Sequence, residues 1–344
     1  MRRRVITLVT GLLLMAAVAQ AIGASQEELL AQGIVALHEK EPAQQTLGVS
    51  CLESVIQNAP TSPQAGTACY QLGCHFRVDR EKSLAYFRQA YVIPSKDRVN
   101  AGISIAHTLV AMGRKLDAAS AFEDVAVRCP AEVRYACYRA GMCYLGESRG
   151  KAEPAPLRDK AKRLFTKSAA AGNLEAKLQL LGMRWEDCDA ADPDKADWGG
   201  LISDLRAYGQ DAKAPAYARA RAFLMIAEHG QIDGDTDQAL RYTDEVLAPE
   251  FKGCRAEQAW AMYVRAMALG ELGRWTEAFA LYDDIHSKFK DSDNFGGNNV
   301  RAIALYCKAH ALNQLGRNDE AEAVMAALRR EYPNSEYALL GGAE

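Results

Sequence analysis

The sequence predicts an all-α fold, built as a solenoid of about seven helical hairpins. The first observation is a pattern that occurs twice near the C-terminus, beginning at Ala266 and again at Ala309. In both copies a Leu-Gly pair follows after six and seven residues, an alanine after twelve, and large apolar residues after sixteen and nineteen. The second observation is the helical spacing of apolar residues on both sides of each Leu-Gly pair, which indicates two amphipathic helices per copy.

The Leu-Gly pairs that contain Gly273 and Gly316 mark the turn inside each hairpin. Glycine ends a helix readily because it adopts a left-handed conformation without steric strain. The small residues at the start of each copy and at its twelfth step allow the two helices to approach closely. A hairpin of about 34 residues buries its apolar face only by stacking on its neighbours, so the pattern favours a repeat array.

These hairpins resemble the tetratricopeptide repeat, including Pro333, which closes the second copy. The resemblance implies a right-handed α-α superhelix that serves as a binding scaffold. Such a fold does not identify the partner, because function depends on the site that the fold carries.

Residues 1–21 have the order of a secretory signal peptide. Three arginines from Arg2 to Arg4 precede an apolar run from Val5 to Val18, and Ala19-Gln20-Ala21 supplies small residues for cleavage. The alternative is an uncleaved membrane anchor, although the run is short for a span. No later stretch is apolar for about 18 residues, so we expect a periplasmic or secreted protein without a membrane span after cleavage.

Composition narrows the function classes further. Removal of the signal peptide takes away three arginines, so the formal net charge moves from −3 to −6. An acidic chain without a basic block argues against a nucleic-acid partner. The nine cysteines permit disulfides in an oxidising compartment, and their odd number leaves at least one thiol outside any internal pairing.

Residues 25–185 are predicted to form the N-terminal repeats. The first hairpin is degenerate, the second has a shorter turn, and the third, from Asn100 to Pro130, reproduces the C-terminal spacing. The fourth has a longer polar loop, followed by Lys160-Ala161 and, later, Gly172-Asn173. It resembles the Sel-like repeat, a relative of the tetratricopeptide repeat.

Residues 186–214 are predicted to form an irregular joint, because this segment is acidic and contains Pro193. A short helix is expected inside it, from Leu201 to Tyr208. The hairpins resume in residues 215–344, which are predicted to be C-terminal tetratricopeptide repeats.

Cys129 and Cys137 lie at the junction of the third and fourth hairpins. Cysteine-rich Sel-like proteins of bacteria have a Cys pair with this spacing at such junctions, and the resemblance implies a disulfide here. The alternative is two buried free thiols that pack as small hydrophobic groups. A pairing of Cys51 with Cys69 is a further open alternative.

Some members of that cysteine-rich family have been linked to β-lactam binding, so the alternative function is a cell-wall fragment or β-lactam binding or hydrolysing protein. Ser287 and Lys290 match S-x-x-K, and residues 292–294 match S-D-N. The two motifs are adjacent and no K-T-G sequence exists, whereas a real site draws these motifs from separate elements. We therefore expect no enzyme activity.

No metal site or cofactor is expected either. The six histidines form no H-E-x-x-H motif. The aspartates Asp233, Asp235 and Asp237 resemble the start of a calcium loop, but Gln238 stands where glycine is required. Acidic residues before a helix are more simply explained as N-caps.

The remaining candidate for a functional site is a binding surface. In the tetratricopeptide repeat, the first helix of each hairpin lines the concave face, through residues three before and one after the small packing residue. The residues so placed are Tyr70, Ile103, His107, Tyr138, Leu224, Tyr263, Tyr306 and His310, with Trp260 and Asn313 nearby. Aromatic residues with a polar group are frequent interface hot spots; the alternative is that they pack against the next hairpin.

The sequence therefore predicts an exported, non-enzymatic scaffold that binds a protein or peptide on its concave face. The C-terminal stretch from Tyr332 to Ala338 also resembles the repeat ends of periplasmic tetratricopeptide proteins of envelope assembly and division. That resemblance implies a role in cell-envelope assembly.

We expect mass spectrometry of the protein from its native host to find a chain that begins near Ile22 or Ser25. The reason is the order of basic, apolar and small residues at the N-terminus. An intact Met1 in the mature protein would contradict the signal-peptide interpretation.

Overall fold

The structure is a computed structural model, which describes residues 25–149, 154–191, 195–289, 294–295 and 298–340. The predicted signal peptide, residues 1–21, lies outside the described residues. In the described chain, no helix is both long and apolar enough to cross a membrane.

The first nine α-helices of the described chain are α1 (Gln26–Leu37), α2 (Pro42–Asn58), α3 (Pro63–His75), α4 (Arg80–Val92), α5 (Arg98–Ala111), α6 (Lys115–Arg128), α7 (Val133–Ser148), α8 (Ala155–Ala170) and α9 (Leu174–Asp189). The next eight are α10 (Trp198–Gln210), α11 (Ala216–Asp233), α12 (Thr236–Leu247), α13 (Arg255–Glu271), α14 (Trp275–Lys288), α15 (Val300–Gln314), α16 (Asn318–Glu331) and α17 (Glu336–Leu340). Short 3₁₀ turns at Pro130–Glu132 and Pro249–Phe251 precede α7 and α13.

The helices follow one another as hairpins, which confirms the predicted all-α repeat solenoid. The chain divides into two compact units, an N-terminal unit that ends at Lys177 and a C-terminal unit that begins at Leu178. The N-terminal unit contains the pairs α1–α2, α3–α4, α5–α6 and α7–α8. Most of α9 and all of α10 to α17 belong to the C-terminal unit.

The segment 186–214, where the sequence predicts an irregular joint, contains the whole of α10. Asp197 caps this helix by accepting the backbone N–H of Gly200 at 3.0 Å. Leu201, Leu205 and Tyr208 are completely buried along one side of it. Helical spacing of these three residues gives α10 a core-facing stripe, and α10 packs against α11.

The turns inside the regular hairpins share the same local structure. Gly113, Gly273 and Gly316 adopt the left-handed region, with φ of 76°, 73° and 73°. An arginine follows each glycine, and its guanidinium pairs with an acidic residue three positions later, as in Arg274–Glu277 at 2.6 Å. The predicted Leu-Gly turns are therefore confirmed at Gly273 and Gly316.

The two helices of a hairpin meet where a small residue of the first faces a large ring of the second. A Cβ atom built on Gly73 would lie 2.5 Å from the ring of Phe87, and one on Gly141 would lie 2.7 Å from the ring of Phe165. In the C-terminal unit Ala266 lies in one buried cluster with Tyr282. These contacts require a small residue in the first helix.

A pair of two-residue strands, β1 (Asn294–Phe295) and β2 (Asn298–Asn299), lies in the loop before α15. The strands are antiparallel, with Asn294 opposite Asn299. The side chain of Asn299 then caps α15 by accepting the backbone N–H of Ala302 at 3.1 Å.

We expect Ala278→Trp, or Ala321→Trp, to lower the free energy of unfolding by about 1–3 kcal/mol, because overpacking forces neighbouring side chains out of their rotamers. Ala278 is fully buried and Ala321 is 2% exposed. The matched control is Ala280→Trp, since Ala280 lies on the exposed side of the same helix as Ala278. Urea denaturation measures all three variants, and equal losses at positions 278 and 280 would contradict the packing assignment.

Candidate partner-binding surface

The eight predicted binding residues fall into both units. Tyr70, His107 and Tyr138 lie on first helices of the N-terminal unit, namely α3, α5 and α7. The other five, which are Trp260, Tyr263, Tyr306, His310 and Asn313, lie on α13 and α15 of the C-terminal unit. Each group therefore has to be considered within its own unit.

In the C-terminal unit the aromatic residues of α13 meet a carboxylate of α11. The ring centroids of Trp260 and Tyr263 are 4.9 Å apart. The indole N–H of Trp260 donates a hydrogen bond to the Glu228 carboxylate. Burial raises the pKa of Glu228, and the Trp260 hydrogen bond opposes this rise. No other hydrogen-bond donor contacts this carboxylate within the described residues, so it keeps unused acceptor capacity.

Tyr263 and Tyr306 extend this face toward the C-terminus. Burial, and next the nearby Cys307 thiol, raise the pKa of the Tyr263 phenol. Tyr306 is half-buried, and its ring centroid lies 5.7 Å from that of Tyr337 on α17. Both tyrosines thus pack on neighbouring rings while a part of each remains exposed. We define the aromatic face as Glu228, Trp260, Tyr263, Tyr306 and Tyr337.

His310 and Asn313 are exposed on α15. The ring of His310 packs edge-on against Trp275, with centroids 5.5 Å apart. This contact holds the imidazole beside the turn between α13 and α14.

In the N-terminal unit the two predicted tyrosines pack on core rings. The ring centroid of Tyr70 lies 5.8 Å from that of Phe87, and that of Tyr138 lies 6.0 Å from that of Phe165. Both tyrosines are half-buried. Phe87 and Phe165 are the rings that face Gly73 and Gly141, so each tyrosine covers the close contact of its own hairpin.

His107 lies between these tyrosines in chain order, and its ring contacts neighbouring side chains. Its Nε2 atom is 2.7 Å from the Tyr135 hydroxyl, and its ring packs edge-on against Phe122 with centroids 5.4 Å apart. Burial and, to a smaller degree, the charge of Arg139 lower the pKa of His107. The lowered pKa favours the neutral form of this imidazole.

The spacing rule misplaced Leu224, which is only 1% exposed and belongs to the core. The same rule places Glu228, one residue after the small Ala227, on this face. The sequence prediction omitted Glu228 because it selected aromatic residues. The sequence prediction also omitted Arg77, Arg80 and Arg139, which pair with no carboxylate within the described residues.

All nine cysteines carry free thiols in the structure. No disulfide joins Cys129 and Cys137 here, and the bridge between them stays a prediction. Cys129 follows the last residue of α6 and is half-buried, whereas Cys137 is buried in α7. Burial raises the pKa of the Cys137 thiol. Cys51 and Cys69 are also unpaired.

The other sequence motifs have structural roles where they are described. Asp235 caps α12 by accepting the backbone N–H of Gln238 at 2.9 Å, which confirms the N-cap interpretation. Ser287 lies near the end of α14, whereas residues 290–293 of the S-x-x-K and S-D-N matches lie outside the described residues. Within the described ranges, no group of three His, Cys, Asp or Glu residues is placed to hold a metal ion.

The repeated hairpins and the residues on their first helices define the chain as a helical-repeat protein. Residues 269–342 match the family model described as tetratricopeptide repeat, which agrees with the resemblance found at Ala309 and Pro333. This match begins in α13 and continues through α17.

Among solved structures, the chain is similar to c5321, described as a protective antigen present in uropathogenic Escherichia coli strains that displays an SLR fold. The two share 14% sequence identity over 96% of this chain and 74% of that chain, with a TM-score of 0.43. The comparison with curated proteins gave no match.

We expect Glu228→Gln to stabilise the chain at neutral pH, because the amide oxygen still accepts from Trp260 and carries no charge to bury. The raised pKa means that the folded state holds the proton more tightly than the unfolded state. The stability linked to this carboxyl is present at low pH and is lost as pH rises through the folded-state pKa. Urea denaturation at pH 4 and pH 7 should therefore show a gain for the variant at pH 7 only.

Proposed function

We propose that this chain is a non-enzymatic scaffold that binds a protein or peptide partner through the aromatic face of its C-terminal unit. The observation that carries the proposal is the combination of half-buried aromatic rings with the Glu228 carboxylate on first helices of successive hairpins. Aromatic rings with polar groups supply contact area and hydrogen bonds together, as interface hot spots do.

The Glu228 carboxylate favours a partner-binding role for the aromatic face over a purely structural one. A buried carboxylate with one donor lowers stability, whereas a partner that supplies further donors would remove that penalty. A basic or amide-bearing side chain of the partner has this chemistry. It would lie against Trp260 and Tyr263, whose rings attract cations.

We further propose that the protein acts outside the cytoplasm, in the periplasm or as a secreted protein, with a role in cell-envelope assembly. The support is the N-terminal sequence of residues 1–21 and the resemblance of the C-terminal stretch to envelope repeat proteins. A pull-down from envelope extract, followed by mass spectrometry, identifies the partner to be used in affinity measurements.

We expect Tyr263→Ala, and separately Tyr306→Ala, to weaken the affinity for the purified partner about thirtyfold, which corresponds to about 2 kcal/mol. Each variant removes one ring of the aromatic face. Isothermal titration calorimetry measures the affinity, and thermal melting of the same samples reports the loss of packing.

The matched control is Leu272→Ala, since Leu272 is a large apolar residue that is 48% exposed in the turn after α13. It should leave the affinity unchanged. If both tyrosine variants melt earlier but bind the partner as the original chain does, the tyrosines serve packing alone and the proposal is wrong.

A further inference from the structure

The N-terminal unit contains a cleft with a different chemistry from the aromatic face. Its volume is about 470 Å³, and its lining includes Arg77, Arg80, Phe87, Ser104 and His107. Arg77 lies in the turn between α3 and α4, Arg80 is the first residue of α4, and Ser104 and His107 come from α5. The cleft thus joins two successive hairpins of one unit.

Neither Arg77 nor Arg80 pairs with a carboxylate in the described chain. Arg80 donates to the backbone carbonyl of Ala111 at the end of α5. Arg77 is exposed and contacts the sulfur of Cys74 at 3.7 Å. Asp79 lies on the same turn, but its carboxylate caps α4 by accepting the backbone N–H of Lys82 at 3.1 Å.

A third guanidinium lies beside the imidazole of this cleft. Arg139 on α7 lowers the pKa of His107 through its charge, after the larger effect of burial. Its guanidinium carbon is 5.9 Å from the ring centroid of Phe122, against which His107 also packs. The Nε atom of Arg139 is buried and has no hydrogen-bond partner, which is a costly state for a charged donor.

These three arginines differ from those of the regular turns. Arg114 pairs with Asp117, Arg274 with Glu277 and Arg317 with Glu320, each at 2.7 Å or less. Arg77, Arg80 and Arg139, in contrast, form no ion pair with a carboxylate within the described residues. Two guanidinium groups in the cleft lining, with a third close to His107, favour the approach of anions.

We propose that this cleft, whose lining includes Arg77 and Arg80, acts together with the neighbouring Arg139 to bind carboxylates of an acidic segment of a partner protein. The arginines belong to the second and fourth hairpins, with His107 of the third between them in the stacking order. Charges distributed over successive hairpins suit a row of carboxylates better than one small anion. Guanidinium groups bind carboxylates through paired, charge-assisted hydrogen bonds.

The proposal rests on the role of the chain as a partner-binding scaffold, but it uses a surface separate from the aromatic face. The probe is a fluorescein-labelled hexaglutamate peptide, with hexaglutamine as the neutral control, titrated with the purified chain and followed by fluorescence anisotropy. We expect hexaglutamate to bind, hexaglutamine not to bind, and the affinity for hexaglutamate to fall as salt is added.

Arg77→Gln should weaken hexaglutamate binding about tenfold, since it removes a charge-assisted hydrogen bond to the peptide. Arg77 is exposed, so this variant tests the charge without disturbing the core. Arg139→Gln should have a similar effect, with its folding checked by circular dichroism. The matched control is Arg114→Gln, because Arg114 is already paired with Asp117 at 2.7 Å.

Equal weakening by Arg77→Gln and Arg114→Gln would show diffuse charge attraction and overturn the proposal, as would the absence of hexaglutamate binding. Displacement of the peptide by inorganic phosphate at matched charge concentration would indicate a small-anion site and overturn the peptide assignment. Tyr263→Ala separates the two proposals, because it should leave hexaglutamate binding unchanged even if the aromatic face proves to serve packing alone.

Discussion

The structure depends on the close approach of the two helices within each hairpin. Gly73 leaves room for the ring of Phe87, and Gly141 leaves room for the ring of Phe165. Both rings belong to the hydrophobic core. Such a contact tolerates no additional methyl group without a shift of the ring. It also fixes the rotation of the first helix, and that rotation decides which side chains point away from the core.

The same contact explains why much of the candidate surface could be predicted. Once Ala266 and Ala309 are assigned to the helix crossing, a helical step of three residues back leads to Tyr263 and Tyr306 on the outer side. The rule failed at Leu224, because α11 is buried around most of its circumference, as the full burial of Ala218, Ala220 and Ala222 indicates. Periodicity alone does not reveal a helix that is covered on several sides.

Other features could not be obtained from the sequence for physical reasons. The Glu228 carboxylate acquires its raised pKa from burial among residues of other helices. The Asp79 carboxylate caps α4 instead of pairing with Arg77 or Arg80, and a sequence pattern does not show where that side chain points. Tertiary environment, rather than residue type, determines all of these.

The glycine–arginine turns at Gly113, Gly273 and Gly316 have a consequence for how the chain acquires its fold. Each turn is closed by contacts at most five residues apart. The backbone N–H of the arginine donates to a carbonyl of the first helix, and its guanidinium pairs with the acid three residues later. Contacts of such low sequence separation form early and require little loop closure. Folding should therefore start at several hairpins independently and spread by stacking, and unfolding should begin at the terminal hairpins, which have a neighbour on one side only.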